Sequence, residues 1–428
     1  MPRTTTEIDA AGLLVLPGGV DMHVHLTPSG RRERTWVDDF ASGTRAAAAG
    51  GITTVGNVTS PRPGEGLLAA MERQSADAEA ASLVDFLLHP VVVGGLRSPR
   101  RDVRQLADAG YSSLKFFMLF PEFERHIRQL LEVMASAREH AMVVMIHCED
   151  GAIISHIAER MVRAGLGSLD NYAASRPRHA ETAAVARAAA MCAATGATTY
   201  VVHVSSREAL SEIGRARHRG LPMHAETRPL YLHLTERALA GPAGRAQIGS
   251  PPIRSAADRR ALWRALGSGL VDTCCSDHAA WSLADKVDER LDIRSALPGV
   301  PELETLRPML FSEGVLTGRM SLEAFVRVTA TNAARIFGIY PRKGTIAVGS
   351  DADLVLWDAS EVRTIRAAEG QSRCDYSPYE GRRVTGWPRY TLRRGEVIYS
   401  DGHIVGSPGT GRHVRRLADS ASVTPGAS

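Results

Sequence analysis

Short, nearly continuous apolar runs rich in β-branched residues recur along the chain, separated by segments of helix-forming residues. The runs cover 17–25, 51–57, 84–93, 112–119, 142–148, 198–204, 221–227 and 270–277. Runs of this length without alternation suit parallel strands buried on both faces. Between them, segments such as Ala41 to Ala49, Glu122 to His140 and Glu181 to Ala194 are rich in Ala, Arg, Glu and Leu and read as helices. Eight strand–helix repeats of about 30 residues each predict an α/β fold, a (β/α)8 TIM-like barrel. A doubly wound open sheet would give the same alternation, but no Gly-x-Gly-x-x-Gly follows the first run.

The pattern then changes. After Ser321 to Phe337, which reads as a helix, Lys343 to Trp357 and Arg389 to Tyr399 alternate with a period of two, with Gly and Asp at the turns. Such alternation marks a small β module. From about Ser407 onward Gly, Ser, Pro, Arg and Ala dominate, and a flexible tail is expected there.

Composition narrows the function classes. The 428 residues are 44% hydrophobic and 23% charged, ordinary values for a globular protein with a large core. A formal charge of +4, with no dense Lys/Arg run interleaved with aromatics, argues against nucleic-acid binding. Five cysteines without C-x-x-C spacing suit a reduced, cytoplasmic protein. Neither a signal-peptide pattern nor an apolar stretch of about 20 residues is present, so export and membrane spanning are not expected.

The opening run ends in His23-Val24-His25. Side chains two apart on a strand share a face, so both imidazoles can grip one ion, although two core histidines would look the same. Active sites of barrels lie at the carboxyl ends of the strands. The ends of the eight runs carry His23 and His25, Lys115, His147, His203 and Asp277. Imidazole and carboxylate suit Zn²⁺ or Mn²⁺, and four imidazoles with an aspartate are too many for one catalytic zinc with an open position. Two divalent ions are expected. A lysine among cations is explained if desolvation keeps the amine neutral, so that it takes up CO₂ and becomes an anionic carbamate spanning both metals.

These residues sit in motifs that resemble the cyclic amidohydrolases of the amidohydrolase superfamily, most closely the D-hydantoinase/dihydropyrimidinase branch. The motifs are Pro17-Gly-Gly-Val-Asp-Met-His-Val-His25, Gly43 to Thr54, Ser113-Leu-Lys-Phe-Phe-Met118, His203-Val-Ser-Ser206, Glu226-Thr-Arg-Pro-Leu-Tyr-Leu232, Ser250-Pro-Pro-Ile-Arg254, Ser276-Asp-His278 and Cys374-Asp-Tyr-Ser-Pro-Tyr-Glu-Gly381. The resemblance implies that His23, His25, carboxylated Lys115 and Asp277 hold one metal while Lys115, His147 and His203 hold the other. It also implies a bridging hydroxide, with Asp277 as the general base that returns the proton to the leaving ring nitrogen. The reaction implied is hydrolytic opening of a cyclic amide or imide. Ser250 and the loop at Pro298, Gly299 and Val300 correspond to the segments that hold the substrate ring, and a homodimer or homotetramer is expected. An allantoinase-like ureide hydrolase and a non-catalytic assembly protein of the dihydropyrimidinase-like kind are the alternatives. On this reading the chain divides into a short β-module remnant (1–16), the barrel (17–340), a C-terminal β module with subunit contacts (341–406) and the tail (407–428).

Departures from the family pattern bear on substrate. Hydantoinases and dihydropyrimidinases have a tyrosine five positions after the bridging lysine, donating to the developing oxyanion; this chain has Phe120. Losing one such donor can cost about 2.7–4 kcal/mol, so Arg228 or Tyr231 is a candidate replacement. Pro298 stands where the family often has asparagine, which would remove a main-chain N–H. Thr27 stands where dihydroorotases place an arginine, which argues against dihydroorotate. Relatives also carry strands ahead of the opening run. With Met1 to Ala10 before it here, either the start is longer than given or the β module rests on C-terminal strands alone and exposes an edge. Among other polar residues, His278 reads as a hydrogen bonder to the site and His89 and His224 as packing residues. Glu149 and Asp150 either orient ligands or cap the next helix, with capping the default, and Arg382, Arg383, Arg393 and Arg394 read as a solvated or subunit-facing cluster.

Overall fold

The computed structural model describes residues 7–27 and 34–416. All eight runs form strands: β2 (Gly19–Val24), β3 (Ile52–Thr59), β4 (Asp85–Pro90), β5 (Ser113–Phe117), β6 (Val143–His147), β7 (Thr199–Val201), β8 (Met223–Thr227) and β9 (Thr273–Cys274). They follow β1 (Leu14–Pro17), which belongs to a different sheet. β2, β3 and β4 form one parallel sheet and β5 to β9 another. Single parallel bridges, Val91 to Lys115 and Val24 to His278, join the two at both seams. The Val92 N–H donates to the Lys115 carbonyl (2.9 Å) and the His25 N–H to the His278 carbonyl (2.8 Å). The eight strands therefore close into a (β/α)8 barrel.

Every residue of β2, β3, β4 and β6 is buried, as two-sided coverage requires. Val20, Met22, Leu87, Val143, Met145, Tyr200 and Cys275 pack together in the lumen, and Phe337 and Ile339 close it below. Helices such as Phe40–Ala49, Ile127–Glu139 and Arg178–Thr195 cover the outside. The segment 321–337 is one helical rod with a π turn at Arg327–Thr331, started by Ser321, whose hydroxyl accepts from the Ala324 N–H.

A separate antiparallel sheet runs β1, β10 (Leu354–Thr364), β11 (Arg383–Arg393), β12 (Glu396–Ser400), β13 (His403–Ile404). The module does not rest on C-terminal strands alone, because β1 pairs with β10, Leu14 opposite Trp357 and Pro17 opposite Leu354. The expectation of a flexible tail from Ser407 is also corrected, as far as Arg416. Backbone bonds from Phe86 N–H to the Arg412 carbonyl and from Val414 N–H to the Phe86 carbonyl strap this stretch onto β4. His413 stacks on Phe86, and Val414 is buried. Residues 417–428 lie outside the described residues. Arg393 is likewise no surface residue: it is buried and donates to the Leu83 carbonyl, while Arg394 donates to Asp85, so both pin the sheet to the barrel. Among the described residues no helix is long and apolar enough to cross a membrane.

Candidate active site

The period of two along a strand carries the lumen face upward from Val143 and Met145 to His147, and from Cys275 to Asp277. His23 and His203 fall out of that step. A register irregularity between Asp21 and Val24 and a left-handed backbone at His203 (φ 39°) turn them inward. Asp277 is also left-handed (φ 47°). Strained backbone is held only where the surroundings over-determine it.

At the rim, Asp277 Oδ1 lies 3.2 Å from His25 Nε2 and 3.4 Å from His23 Nε2. One ligand atom from each of the three lies within 4.8 Å of the others. Tetrahedral ligands bound at about 2.0–2.1 Å stand about 3.3–3.4 Å apart, so this spacing fits a zinc-sized ion. Lys115 is fully buried, with Nζ 3.1 Å from His23 Nε2. The His203 ring stacks 5.5 Å from that of His23 and meets the His147 ring edge-on at 4.5 Å. His203 Nδ1 is buried without a partner, a state that costs about 1–3 kcal/mol and that a ligand could relieve. Six residues far apart in sequence therefore meet at one mouth, with a donor set that fits divalent ions.

Electrostatics favours metal-binding forms of the histidines and of Asp277. Burial pushes His25 down to about 4, and burial also lowers His147 and His203, with the nearby Lys115 charge adding to it. His25, His147 and His203 are thus neutral at pH 7. Burial drives Lys115 down to about 8 against the pull of Glu226 and Asp277. For Asp277 burial would raise the pKa, but the Arg228 guanidinium and the hydrogen bond from His25 oppose it, and the carboxyl lies well below its ordinary value.

A cavity of about 800 Å³ opens above the cluster, lined by Ser250, Phe120, Pro298 and Gly299 together with Trp36, Phe117 and Trp281. Phe120 is 44% exposed there and packs on Phe117. Arg228 is buried and fully engaged: Nη1 donates to Asp277 Oδ2 (2.5 Å) and Nε and Nη2 to Glu302 Oε2 (2.9 and 2.7 Å). Tyr231 donates to the Pro251 carbonyl at 2.6 Å. Neither is placed to replace the phenol missing at Phe120. The Gly299 N–H donates to the Ile248 carbonyl at 3.0 Å, and the Pro298 carbonyl accepts from Trp281 at 2.9 Å, so this loop spends its polar groups largely on the protein.

Comparison with known proteins places the chain. The model of the "Amidohydrolase family" matches residues 14–398. The chain belongs to the amidohydrolase family. Within it, the chain is 37% identical over 413 residues to a D-hydantoinase of Ralstonia pickettii, covering 96% of this chain and 90% of that one. A D-hydantoinase of Geobacillus stearothermophilus is 36% identical over 415 residues, covering 96% and 88%. Among solved structures, the dihydropyrimidinase from Brevibacillus agri superposes with a TM-score of 0.93 at 35% identity, covering 97% of this chain and 91% of that chain. The L-hydantoinase of Arthrobacter aurescens superposes at 0.87 with 34% identity, covering 96% and 90%.

In this amidohydrolase two carboxylates hold the imidazoles of the cluster: Glu226, which sequence analysis did not single out, and Glu149, for which it gave orienting a ligand as the alternative to capping. Glu226 accepts from His23 Nδ1 (2.7 Å), the His203 N–H (2.9 Å) and Tyr200 (2.9 Å). Fixing one ring nitrogen in this way leaves the other for a metal. Glu149 is not a cap: it accepts from His147 Nε2 (2.8 Å), Ser250 Oγ (2.6 Å) and Arg176 (3.0 Å), whereas Asp150 does cap the next helix. The available signal was spacing, Glu149 lying two residues past His147 and Glu226 within a quoted motif. His278 bonds Asp38 at 2.9 Å, His89 bonds Ser113 and His224 pairs with Asp272 away from the ligands.

Proposed function

We propose that the chain is a binuclear metal-dependent hydrolase that opens the C–N bond of a cyclic amide or imide of the hydantoin or dihydropyrimidine class. His23, His25, Asp277 and carboxylated Lys115 would hold one ion and Lys115, His147 and His203 the other, zinc or manganese by donor chemistry. Such a pair supplies an activated water and polarises the carbonyl under attack. Asp277, kept ionised by Arg228, takes a proton and returns it to the leaving ring nitrogen. Ser250 gives its hydroxyl hydrogen to Glu149 and accepts from Arg176, so toward a ring it offers one lone pair and its main chain. Phe117, Phe120 and Trp281 give apolar walls to the cavity and limit bulk water.

The observation that carries this reading is the convergence of six ligand-type side chains at one barrel mouth under a cavity large enough for a small ring. It also weighs against a scaffold that has abandoned chemistry. A cytoplasmic homodimer or homotetramer belongs to the same proposal; five buried free cysteines support the reducing compartment, and light scattering checks the assembly. The test is metal analysis of the purified protein followed by a ring-opening screen of hydantoins, dihydrouracil, allantoin and dihydroorotate with added Zn²⁺ or Mn²⁺. Two equivalents of metal and turnover of hydantoin or dihydrouracil are expected. Protein that binds neither ion and opens none of the rings overturns the reading.

A further inference from the structure

Lys286 ends the short helix Leu283–Lys286, outside the ligand cluster, and is buried. Its ammonium donates to three main-chain carbonyls: Ile248 at 2.6 Å, Leu297 at 2.8 Å and Gly299 at 2.9 Å. An ammonium has three donors, and here each finds an acceptor. No carboxylate pairs with it among the described residues, so the charge is neutralised by carbonyl dipoles alone. Burying a lysine in this way is expensive: burial favours loss of the proton, and the three carbonyls, which only the ammonium can serve together, are what hold it.

The three carbonyls belong to two segments far apart in sequence. Ile248 stands two residues before Ser250, and Leu297 and Gly299 flank Pro298; Ser250, Leu297, Pro298 and Gly299 all line the cavity. The Gly299 N–H closes the same junction by donating to the Ile248 carbonyl at 3.0 Å. Gly299 (φ 126°) has no room to retreat, since a Cβ there would lie 2.5 Å from the Ala279 carbonyl, two residues past Asp277. With Leu297, Ile248 and Gly299 tied to one point, neither wall can move without breaking a charge-assisted bond.

We propose that Lys286 is a positioning residue that fixes the spacing of the two substrate-holding segments, so that affinity for the ring depends on its ammonium while metal loading does not. The inference rests on the proposed ring hydrolysis. Its test uses the full-length, metal-loaded protein and two variants, Lys286→Met, which removes all three donors, and Lys286→Gln, which keeps two. For Lys286→Met, KM for the turned-over ring rises by about tenfold or more, with kcat changed by less than about threefold and metal content equal to the parent; Lys286→Gln falls between. Hydrogen exchange quickens over both 246–250 and 295–300, with β6 unchanged. An unchanged KM in a variant whose melting temperature falls shows a merely structural role and overturns the proposal. If Lys286→Met does not fold, Lys286→Gln decides by the same KM criterion. If the parent opens no ring, the proposed function fails, and exchange alone judges the clamp: joint loosening of the two segments supports it, and loosening of one or neither refutes it.

Discussion

At the scale of single residues, Lys115 shows how burial prepares a functional group. A lysine can take up CO₂ only as the free amine, and burial brings its pKa from 10.5 down to about 8. Above that pH the amine is mostly neutral; as pH falls through it the nitrogen gains a proton, and the proposed carbamate would be lost. At a fixed concentration of dissolved CO₂, apo-protein at pH 9 should therefore carry about tenfold more neutral Lys115 than at pH 7, and load buffered Zn²⁺ correspondingly faster. Intact-mass measurement of the added CO₂, alongside metal content, checks this, and loading that is indifferent to pH would contradict it. Arg228 works in the opposite sense. Its guanidinium keeps Asp277 ionised and also ties it to Glu302, whose other oxygen accepts from Tyr379. This buried chain links the ligand rim to the Cys374–Gly381 motif.

At the scale of elements, strands were legible because burial on both faces writes itself as unbroken apolar runs. That His23, His25, Lys115, His147, His203 and Asp277 come together at one mouth was legible because barrel chemistry gathers at strand ends. What stayed hidden depends on contacts between segments that no local pattern encodes. Glu149 and Glu226 are ordinary acidic residues until the fold sets them beside imidazoles, and Lys286 carries no motif at all. Arg393 looks like surface in a run of charge, yet the fold buries it against the Leu83 carbonyl. Gly299 is another case, since only its positive φ and the nearby Ala279 carbonyl make it irreplaceable. Gly299→Ala should cost about 1–3 kcal/mol in a urea unfolding midpoint, through a strained backbone and a displaced Ala279. An alanine variant as stable as the parent would mean that the loop adapts freely.

At the scale of the whole molecule, the barrel is two parallel sheets joined by one bridge at each seam, and four of the six proposed ligands, His23, His25, Lys115 and Asp277, sit at those seams, while His147 and His203 lie within the second sheet. Lys115 is itself half of one bridge; Val24, between His23 and His25, forms the other with His278, next to Asp277. An ion shared by His23, His25, Lys115 and Asp277 would therefore tie both sheets together where backbone pairing is thinnest. Binding to the folded state alone stabilises by about 2.7 kcal/mol at 100 times Kd and about 4.1 at 1,000 times. Chelation should accordingly lower the melting temperature, and the loss of protection should concentrate at the seams. The amides of His25 and Val92, which donate across them, should exchange faster in the stripped protein, whereas amides in the middle of β3 and β6 should change little. Uniform loss of protection would instead show that the ions stabilise the fold without acting at the seams. Unchanged exchange and melting would show that they do not brace the barrel at all.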